Sequence, residues 1–366
     1  MEIWRQNDST KCENTFKIII TLLLIALILL VTDAFINKKI SSNGAISDLD
    51  KKALEELKLV YEADSKNGDG KFWKNFMLSD HSVLLISKDS HYSYLINPEK
   101  EPISIFASKL KMQKDNKQCK QKFNVYRISL LYPKLWPIKI FGGNFNTIGK
   151  TTNVMKSKVY YIKFDSDNFN KKYSSNHLVT FLYHEAFHYF MQNNWPGGER
   201  FIGNLDKDDM DLLEEKLNLL DQTKVLINNK SRDQSELIKV GEKIFSIEEK
   251  RKKSNSAYVE KENMMETVEG TATYMGIMAS KAVGYDFGPM YFDNIKDVPF
   301  SDVLPTYKEG RLDQGFLRDR LPYETGAQIT LLLDELDPEK NWQTYLNKQS
   351  KENPKTLLDA LKEILN

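Results

Sequence analysis

The most uniform apolar run of the chain lies near its N-terminus. Residues 18–31 read IIITLLLIALILLV, with Thr21 as the one polar side chain. Extended to Ile36, the run covers 19 residues, which as a helix span about 28 Å, close to the thickness of the bilayer hydrocarbon core. The pattern predicts a transmembrane anchor at residues 18–36 after a short N-terminal tail, residues 1–17.

A cleaved signal peptide is the alternative interpretation, with Ala34 as the small residue at the cut. The preceding region is long for a signal peptide and no A-x-A sequence ends the run, so we favour an uncleaved anchor. Basic residues flank the run on both sides: Arg5, Lys11, Lys17, Lys38 and Lys39. Because this charge bias is weak, the orientation rests on the tendency of N-terminal anchors to translocate the chain on their C-terminal side. We expect a single-pass protein with an extracytoplasmic domain, secreted if the segment is cleaved.

After the anchor, the apolar positions change from helical to strand-like spacing and back. Residues 47–64 carry a helical pattern. Short β-like runs follow at residues 82–87, 92–96, 124–130, 138–141 and 159–164. Beyond residue 175 the pattern is almost wholly helical, and the Lys-rich stretch 111–122 is interpreted as a solvated loop. A mixed sheet followed by helices predicts an α+β fold, divided into an N-terminal α/β part, residues 37–135, and a second domain, residues 136–366.

Residues 206–262 form an unusually charged segment within the second domain. Charged side chains occupy 26 of these 57 positions, while apolar residues recur at a 3-4-3 spacing on both sides of residues 228–233. The pattern predicts an inserted hairpin of two amphipathic helices that projects from the domain. Mixed charge of this kind favours a solvated face, and an arm that binds a protein partner is the alternative.

Composition argues against several functions for the chain. Its 366 residues contain 52 Lys and Arg against 51 Asp and Glu, and this balance argues against a nucleic-acid binder, which gathers basic residues on one face. The two cysteines, Cys12 and Cys119, are too few for a disulfide framework or a Cys-rich zinc module.

The main candidate for chemistry is His184-Glu185-Ala186-Phe187-His188, an HExxH sequence. Residues four apart face the same side of a helix, so both imidazoles can reach one Zn²⁺. Glu185 then lies beside the metal, where its carboxylate can take a proton from zinc-bound water.

A catalytic zinc needs a third protein ligand and an open position. Residues 262–283 predict a second helix that carries Glu266 and Glu269 on one face. Either glutamate could ligate. We predict Glu269 as the third ligand and Glu266 as a partner that orients a ligating histidine, with a plain charge on the helix surface as the alternative for Glu266. Gly270 and Ala272 would let this helix approach the HExxH helix closely.

These residues resemble the gluzincin zinc metallopeptidases. HEAFH followed by Val268–Tyr274 is similar to the HExxH and NEGxAxY-type segments of their aminopeptidase branch. Leu321–Ala327, LPYETGA, resembles the segment that supplies the catalytic tyrosine of that branch. The resemblance covers about residues 140–337 and implies a zincin-like catalytic domain with one Zn²⁺ per chain, held by His184, His188 and Glu269. It implies Tyr323 as a catalytic residue beside Glu185.

The chain also departs from that branch. Val268 stands where the family has Asn, and 80 residues separate His188 from Glu269, far more than in the family. Residues 140–146, IFGGNFN, lack the glutamate that anchors a free amino group, so the choice between exo- and endopeptidase stays open.

Other polar candidates are weaker. His81, His91 and His177 are interpreted as surface or loop residues. The methionines of the predicted second helix are interpreted as core packing: Met264, Met265, Met275 and Met278. Four further side chains could line a cleft: Tyr291, Tyr307, Arg318 and Arg320.

The sequence therefore predicts a membrane-anchored zinc metallopeptidase that acts on peptides or proteins. Two alternatives stay open. One is a non-catalytic membrane-anchored protein that keeps a peptidase fold for binding or assembly, and the other is a zinc hydrolase of a non-peptide amide or ester.

Overall fold

The structure is a computed structural model and describes residues 2–65, 70–112, 123–198, 205, 207–229 and 233–366, with side chains from residue 14 onward. The helices are α1 (Glu2–Asn43), α2 (Asp48–Asp64), α3 (Trp136–Phe141), α4 (Asp167–Asn170), α5 (Leu178–Phe190), α6 (Lys207–Asn228), α7 (Gln234–Ser254), α8 (Ser256–Val283), α9 (Val303–Lys308), α10 (Leu321–Leu336), α11 (Asn341–Leu346) and α12 (Leu357–Leu365). The strands are β1 (Ser82–Ser87), β2 (Ser93–Ile96), β3 (Ala107–Lys109), β4 (Val125–Ile128), β5 (Thr152–Val154) and β6 (Ser157–Phe164). Most of the predicted Lys-rich loop, residues 113–122, and residues 230–232 of the predicted hairpin turn lie outside the described residues.

The chain forms two compact units, and the predicted α+β class is confirmed. The first unit contains α1 and the sheet, in residues 1–51, 81–145 and 151–164. The second contains the other helices except α3, in residues 52–80, 146–150 and 165–366. This division differs from the predicted boundary at residue 136, because most of α2 belongs to the second unit and β6 to the first.

The sheet of the first unit is mixed, with strand order β3-β4-β2-β1-β6-β5. β1 pairs in parallel with β6, and the other neighbours are antiparallel. The prediction of a strand at residues 138–141 is wrong, since these residues belong to α3. Pro137 lies in the first turn of α3, and Gly142 caps the C-terminal end of that helix. The fixed φ of a proline favours the start of a helix, and this preference outweighs the β-like composition of residues 138–141, IKIF.

Helix α1 begins well before the predicted anchor and continues past it. Its residues Asn14–Asn43 are long and apolar enough to cross a membrane, and the most apolar stretch has no buried residue. A signal sequence passes the same test. The last turns pack on the sheet, where Asn37 is buried and donates from Nδ2 to the backbone oxygen of Arg127 at 3.1 Å.

The second unit is built around α8, which lies against α5 and α10. A Cβ on Gly276 would come within 2.9 Å of the backbone oxygen of Thr180 in α5. A Cβ on Gly326 would come within 2.2 Å of the backbone oxygen of Glu266 in α8. The expectation that Gly270 faces the HExxH helix is therefore wrong, because Gly270 lies against Gly326 of α10, and Gly276 makes the close approach to α5.

Helices α6 and α7 pack on each other as predicted, but they do not project from the unit. Lys216 of α6 is fully buried and its Nζ lies 2.7 Å from Glu266 Oε1 of α8 and 3.0 Å from Glu248 Oε1 of α7. Arg251 is also buried and pairs with Asp209 and Glu262. The charges thus include a buried network that joins three helices, and the predicted solvated face is wrong for these side chains.

Candidate metal centre

The structure brings His184, His188 and Glu269 together, although 80 residues separate the histidine pair from the glutamate. The two histidine Nε2 atoms lie 3.1 Å apart. Glu269 Oε2 lies 3.3 Å from His184 Nε2 and 3.1 Å from His188 Nε2. The three atoms form a nearly equilateral triangle that can hold a metal ion.

The size of this triangle matches a small divalent cation. For ligands at about 2.0–2.1 Å in tetrahedral geometry, the edge between two ligand atoms is about 3.3 Å. Two imidazole nitrogens and one carboxylate oxygen are also a donor set that suits zinc and related ions. The side chains of His184, His188 and Glu269 are 16%, 12% and 14% exposed, so a molecule from solvent can reach the triangle.

The packing of α5 aims the histidines toward α8. One face of α5 buries apolar side chains, including Phe187, whose ring lies 4.6 Å from that of Trp73. On the α8 side, the hydroxyls of Thr180 and Ser280 are hydrogen-bonded at 2.6 Å in the core. Thr180, His184 and His188 follow one another at intervals of four residues and so share one side of α5. The contact of Thr180 with Ser280 therefore points both histidines toward α8.

Gln192 orients His188, and the sequence analysis did not identify it. Its Nε2 donates to Val268 O and Thr271 Oγ1, both at 2.8 Å. Its Oε1 therefore faces His188 Nδ1, at 2.5 Å, and Nδ1 is the donor in that bond. A neutral imidazole protonated at Nδ1 presents an unprotonated Nε2 to a metal. The one sequence signal for Gln192 is its position four residues after His188, just past the C-terminal end of α5.

The electrostatics of the triangle favour a cation at its centre. Burial raises the pKa of the Glu269 carboxyl, but hydrogen bonds from both histidines outweigh burial and hold that pKa well below its usual range. Burial lowers the pKa of His188, but the Glu269 carboxylate outweighs it and leaves the pKa above its ordinary value. The three groups thus stabilise positive charge between them, as a proton or as a metal ion.

Two further predicted residues lie beside the triangle. Burial raises the pKa of the Glu185 carboxyl above its ordinary value, while the charges of His184 and His188 oppose that rise. The ring of Tyr323 stacks parallel to His184, with ring centroids 5.9 Å apart. Burial also raises the pKa of the Tyr323 phenol, helped by its hydrogen bond to Glu269, so the phenol keeps its proton.

The role predicted for Glu266 is wrong. Its Oε1 accepts hydrogen bonds from Lys216 Nζ at 2.7 Å and Thr325 Oγ1 at 2.6 Å, so it joins α8 to α6 and α10. The side chain that contacts the ring of a candidate ligand is Gln192, on His188. The prediction for His177 also needs correction. It is the buried N-terminal cap residue of α5, stacked 3.8 Å from the ring of Tyr285.

Of the side chains expected to line a cleft, Arg320 lies over the ring of Tyr323. Its guanidinium is 5.5 Å from the centroid of the Tyr323 ring and pairs with the buried Glu324 at 2.6 Å. It also lies 5.7 Å from the ring of Phe292, which borders a cavity of about 660 Å³. Tyr291 packs instead against the edge of Tyr173. Arg320 thus lies between Tyr323 and Phe292, and Phe292 lies at the edge of this cavity.

No protein family model, curated protein or solved structure matches this chain.

Proposed function

We propose that the chain is a membrane-anchored zinc metallopeptidase with a zincin-like catalytic domain. The observation that carries this proposal is the triangle of His184 Nε2, His188 Nε2 and Glu269 Oε2, with edges of 3.1–3.3 Å. The resemblance of the HExxH, VEGTATY and LPYETGA segments to gluzincins supports a peptidase over other zinc hydrolases.

In this proposal His184, His188 and Glu269 hold the ion. A bound zinc would polarise the scissile carbonyl and acidify a water molecule. Glu185 accepts the proton of that water and later delivers it to the leaving amine, for which a carboxyl with a raised pKa is suited. Tyr323 donates its phenol proton in a hydrogen bond to the oxyanion that forms on the carbonyl.

The proposed membrane anchor is the N-terminal helix, and the contacts of its C-terminal end favour retention over cleavage. Asp33 accepts a hydrogen bond from the backbone nitrogen of Leu131 at 3.0 Å, and Asn37 is buried against the sheet. A cut near Ala34 would remove the first of these contacts and leave Asn37 at a free chain end. We propose an uncleaved single-pass anchor, with the chain that follows it outside the cytoplasm.

The test is peptide cleavage by the purified full chain in detergent, assayed with a proteome-derived peptide library. We expect cleavage that a chelator abolishes and that added Zn²⁺ restores. Glu185→Gln should bind zinc and cleave nothing, because the residue moves a proton and does not ligate. Cleavage that persists in the chelator or in Glu185→Gln would contradict the proposal.

A further inference from the structure

One end of the sheet carries exposed apolar side chains and is also the end from which α1 leaves the first unit. We call this end the rim. Strand pairing defines it, because Ile128 pairs with both Ala107 and Ser93, Ser93 with Ile86, and Ile86 with Lys163. The rim therefore contains the C-terminal ends of β4, β1 and β6 and the N-terminal ends of β3 and β2.

Helix α1 runs along β3 and passes over the rim. The backbone oxygen of Ser41 accepts a hydrogen bond from Lys111, beyond the far end of β3, at 3.0 Å. Asn37 Nδ2 donates a hydrogen bond to the backbone oxygen of Arg127 in β4. Asp33 accepts a hydrogen bond from the backbone nitrogen of Leu131, past the end of β4. The part of α1 before residue 33 thus extends away from the sheet beyond the rim.

The rim lies at the level where the apolar segment ends. Asp33 is three residues before Ile36, the end of the predicted span, which corresponds to about 5 Å along a helix. If residues 18–36 cross the hydrocarbon core, the chain around Leu131 lies at the boundary between acyl chains and headgroups.

Apolar side chains are exposed at this same level. Among the described residues of the first unit, the large apolar side chains exposed outside α1 are Ile103, Ile105, Trp136, Ile140 and Phe141, of which Ile103 is 99% and Phe141 85% exposed. Ile103 and Ile105 precede β3 at the rim and line a groove with Phe35 of α1. Helix α3 lies at the rim too, because Lys139 Nζ donates to His91 O in the β1–β2 turn, at 2.6 Å.

Basic and aromatic residues accompany this apolar surface. Lys38, Lys39 and Lys134 are exposed, and long lysine side chains extend to headgroups while their stems cover apolar surface. Trp136, 46% exposed, is of the type enriched at membrane interfaces. A surface of this composition suits the boundary region of a bilayer better than water.

We infer that the rim is seated in the bilayer surface, with Ile103, Ile105 and the exposed face of α3 inserted at the headgroup level. The occupant is lipid, not a second protein, because the surface lies where the proposed span enters the membrane. This inference rests on the membrane anchor of the proposed function. It does not depend on the metal centre. Seating fixes the orientation of the first unit on the membrane, which α1 alone would leave free to rotate.

The test is lipid quenching of single-cysteine probes on the full chain in liposomes, with Cys12 and Cys119 replaced by Ser. A fluorophore at Phe141→Cys or Ile105→Cys should be quenched by lipids that carry a nitroxide near the headgroup, and should resist aqueous iodide. Lys158→Cys is the matched control, because Lys158 is exposed in β6 at the opposite end of the sheet. It should respond to iodide alone.

A probe at Leu24→Cys separates failure of the anchor from failure of the rim. In one outcome, the probe at residue 24 is quenched by lipid, but the probes at residues 105 and 141 respond to iodide alone, as residue 158 does. That result would overturn the inference and leave the span intact. Shielding of residues 105 and 141 from both quenchers would show a protein partner on the rim and would also overturn it. Without lipid quenching at residue 24, the anchor and the inference both fail.

Discussion

The candidate metal centre depends on side chains that fix the orientation of its histidine rings. Gln192 is the clearest of these, since its amide is fixed by Val268 O and Thr271 Oγ1 on one side and by His188 Nδ1 on the other. Residues that orient a metal-ligating histidine typically raise metal affinity by 10–100-fold. The candidate centre therefore includes a side chain outside the HExxH sequence.

We predict that Gln192→Ala weakens zinc binding about 10–100-fold, because His188 Nδ1 loses its acceptor. The measurement is the zinc dissociation constant, by competition with a chromophoric chelator. Gln328→Ala is the control, since Gln328 is equally buried but donates to Thr223, so it should lose stability and keep zinc affinity. Gln192→Glu keeps the acceptor but loses the donor to Val268 O, so its zinc affinity should lie between those of Gln192→Ala and the wild type. Equal zinc affinity in Gln192→Ala and Gln328→Ala would refute the orienting role.

We predict that loss of the Tyr323 hydroxyl lowers kcat alone. Removal of one oxyanion donor typically costs about 10²–10³ in kcat, so Tyr323→Phe should show that loss with KM, zinc content and Tm little changed. Tyr291→Phe is the control, because Tyr291 packs on Tyr173 and should keep wild-type kcat. The reverse ranking of the two variants would transfer the role to Tyr291.

At the scale of elements, two close helix crossings bring the site together. Glycines permit both crossings, at Gly276 against Thr180 and at Gly326 against Gly270 and Glu266. They allow α5, α8 and α10 to place the histidines, Glu269 and Tyr323 within one small volume.

We predict that Gly326→Ala is strongly destabilising, because the new Cβ would lie 2.2 Å from the backbone oxygen of Glu266 and backbone cannot move aside cheaply. Overpacking of this kind costs about 1–3 kcal/mol or more. Gly288→Ala is the control, since its Cβ would meet only ordinary contacts at 3.5 Å. Thermal unfolding should show a lower Tm for Gly326→Ala and little change for Gly288→Ala. Matching Tm values would mean that the crossing is looser than described.

A pH-dependent stability is expected at the C-terminal end of α2. Burial raises the pKa of Asp64 to about 6, although backbone hydrogen bonds from Phe72 and Lys71 oppose the rise. Above about pH 4 the Asp64 carboxyl loses its proton in the unfolded chain but keeps it in the folded chain. The free energy of unfolding of the wild type therefore decreases as the pH rises toward 6.

Asp64→Asn cannot titrate and keeps the oxygen that accepts from Phe72. Relative to wild type, its free energy of unfolding should therefore increase between pH 4 and 7, by about 2 kcal/mol. Urea unfolding of both proteins at several pH values measures this difference. A difference that is constant over the range would show that Asp64 titrates normally when folded.

At the scale of the whole molecule, the sequence predicted the parts with strong local patterns. The 3.6-residue period and the i,i+4 histidines predicted α5, and uniform apolarity predicted the candidate span in α1. The burial of Lys216 and Arg251 was not predictable, because a charged amphipathic helix looks the same whether its charges face water or a buried network. The role of Glu266 was mistaken for the same reason, since its partners, Lys216 and Thr325, lie about 50 to 60 residues away in the chain.

The proposed chemistry depends on one claim, that His184, His188 and Glu269 bind zinc. The direct measurement is zinc per chain in the purified full-length protein, by mass spectrometry of the element, for wild type, Glu269→Ala and Glu185→Gln. We predict about one zinc per chain in wild type and in Glu185→Gln, and little in Glu269→Ala. Zinc retained at the wild-type level in Glu269→Ala, or lost in Glu185→Gln, would contradict that claim.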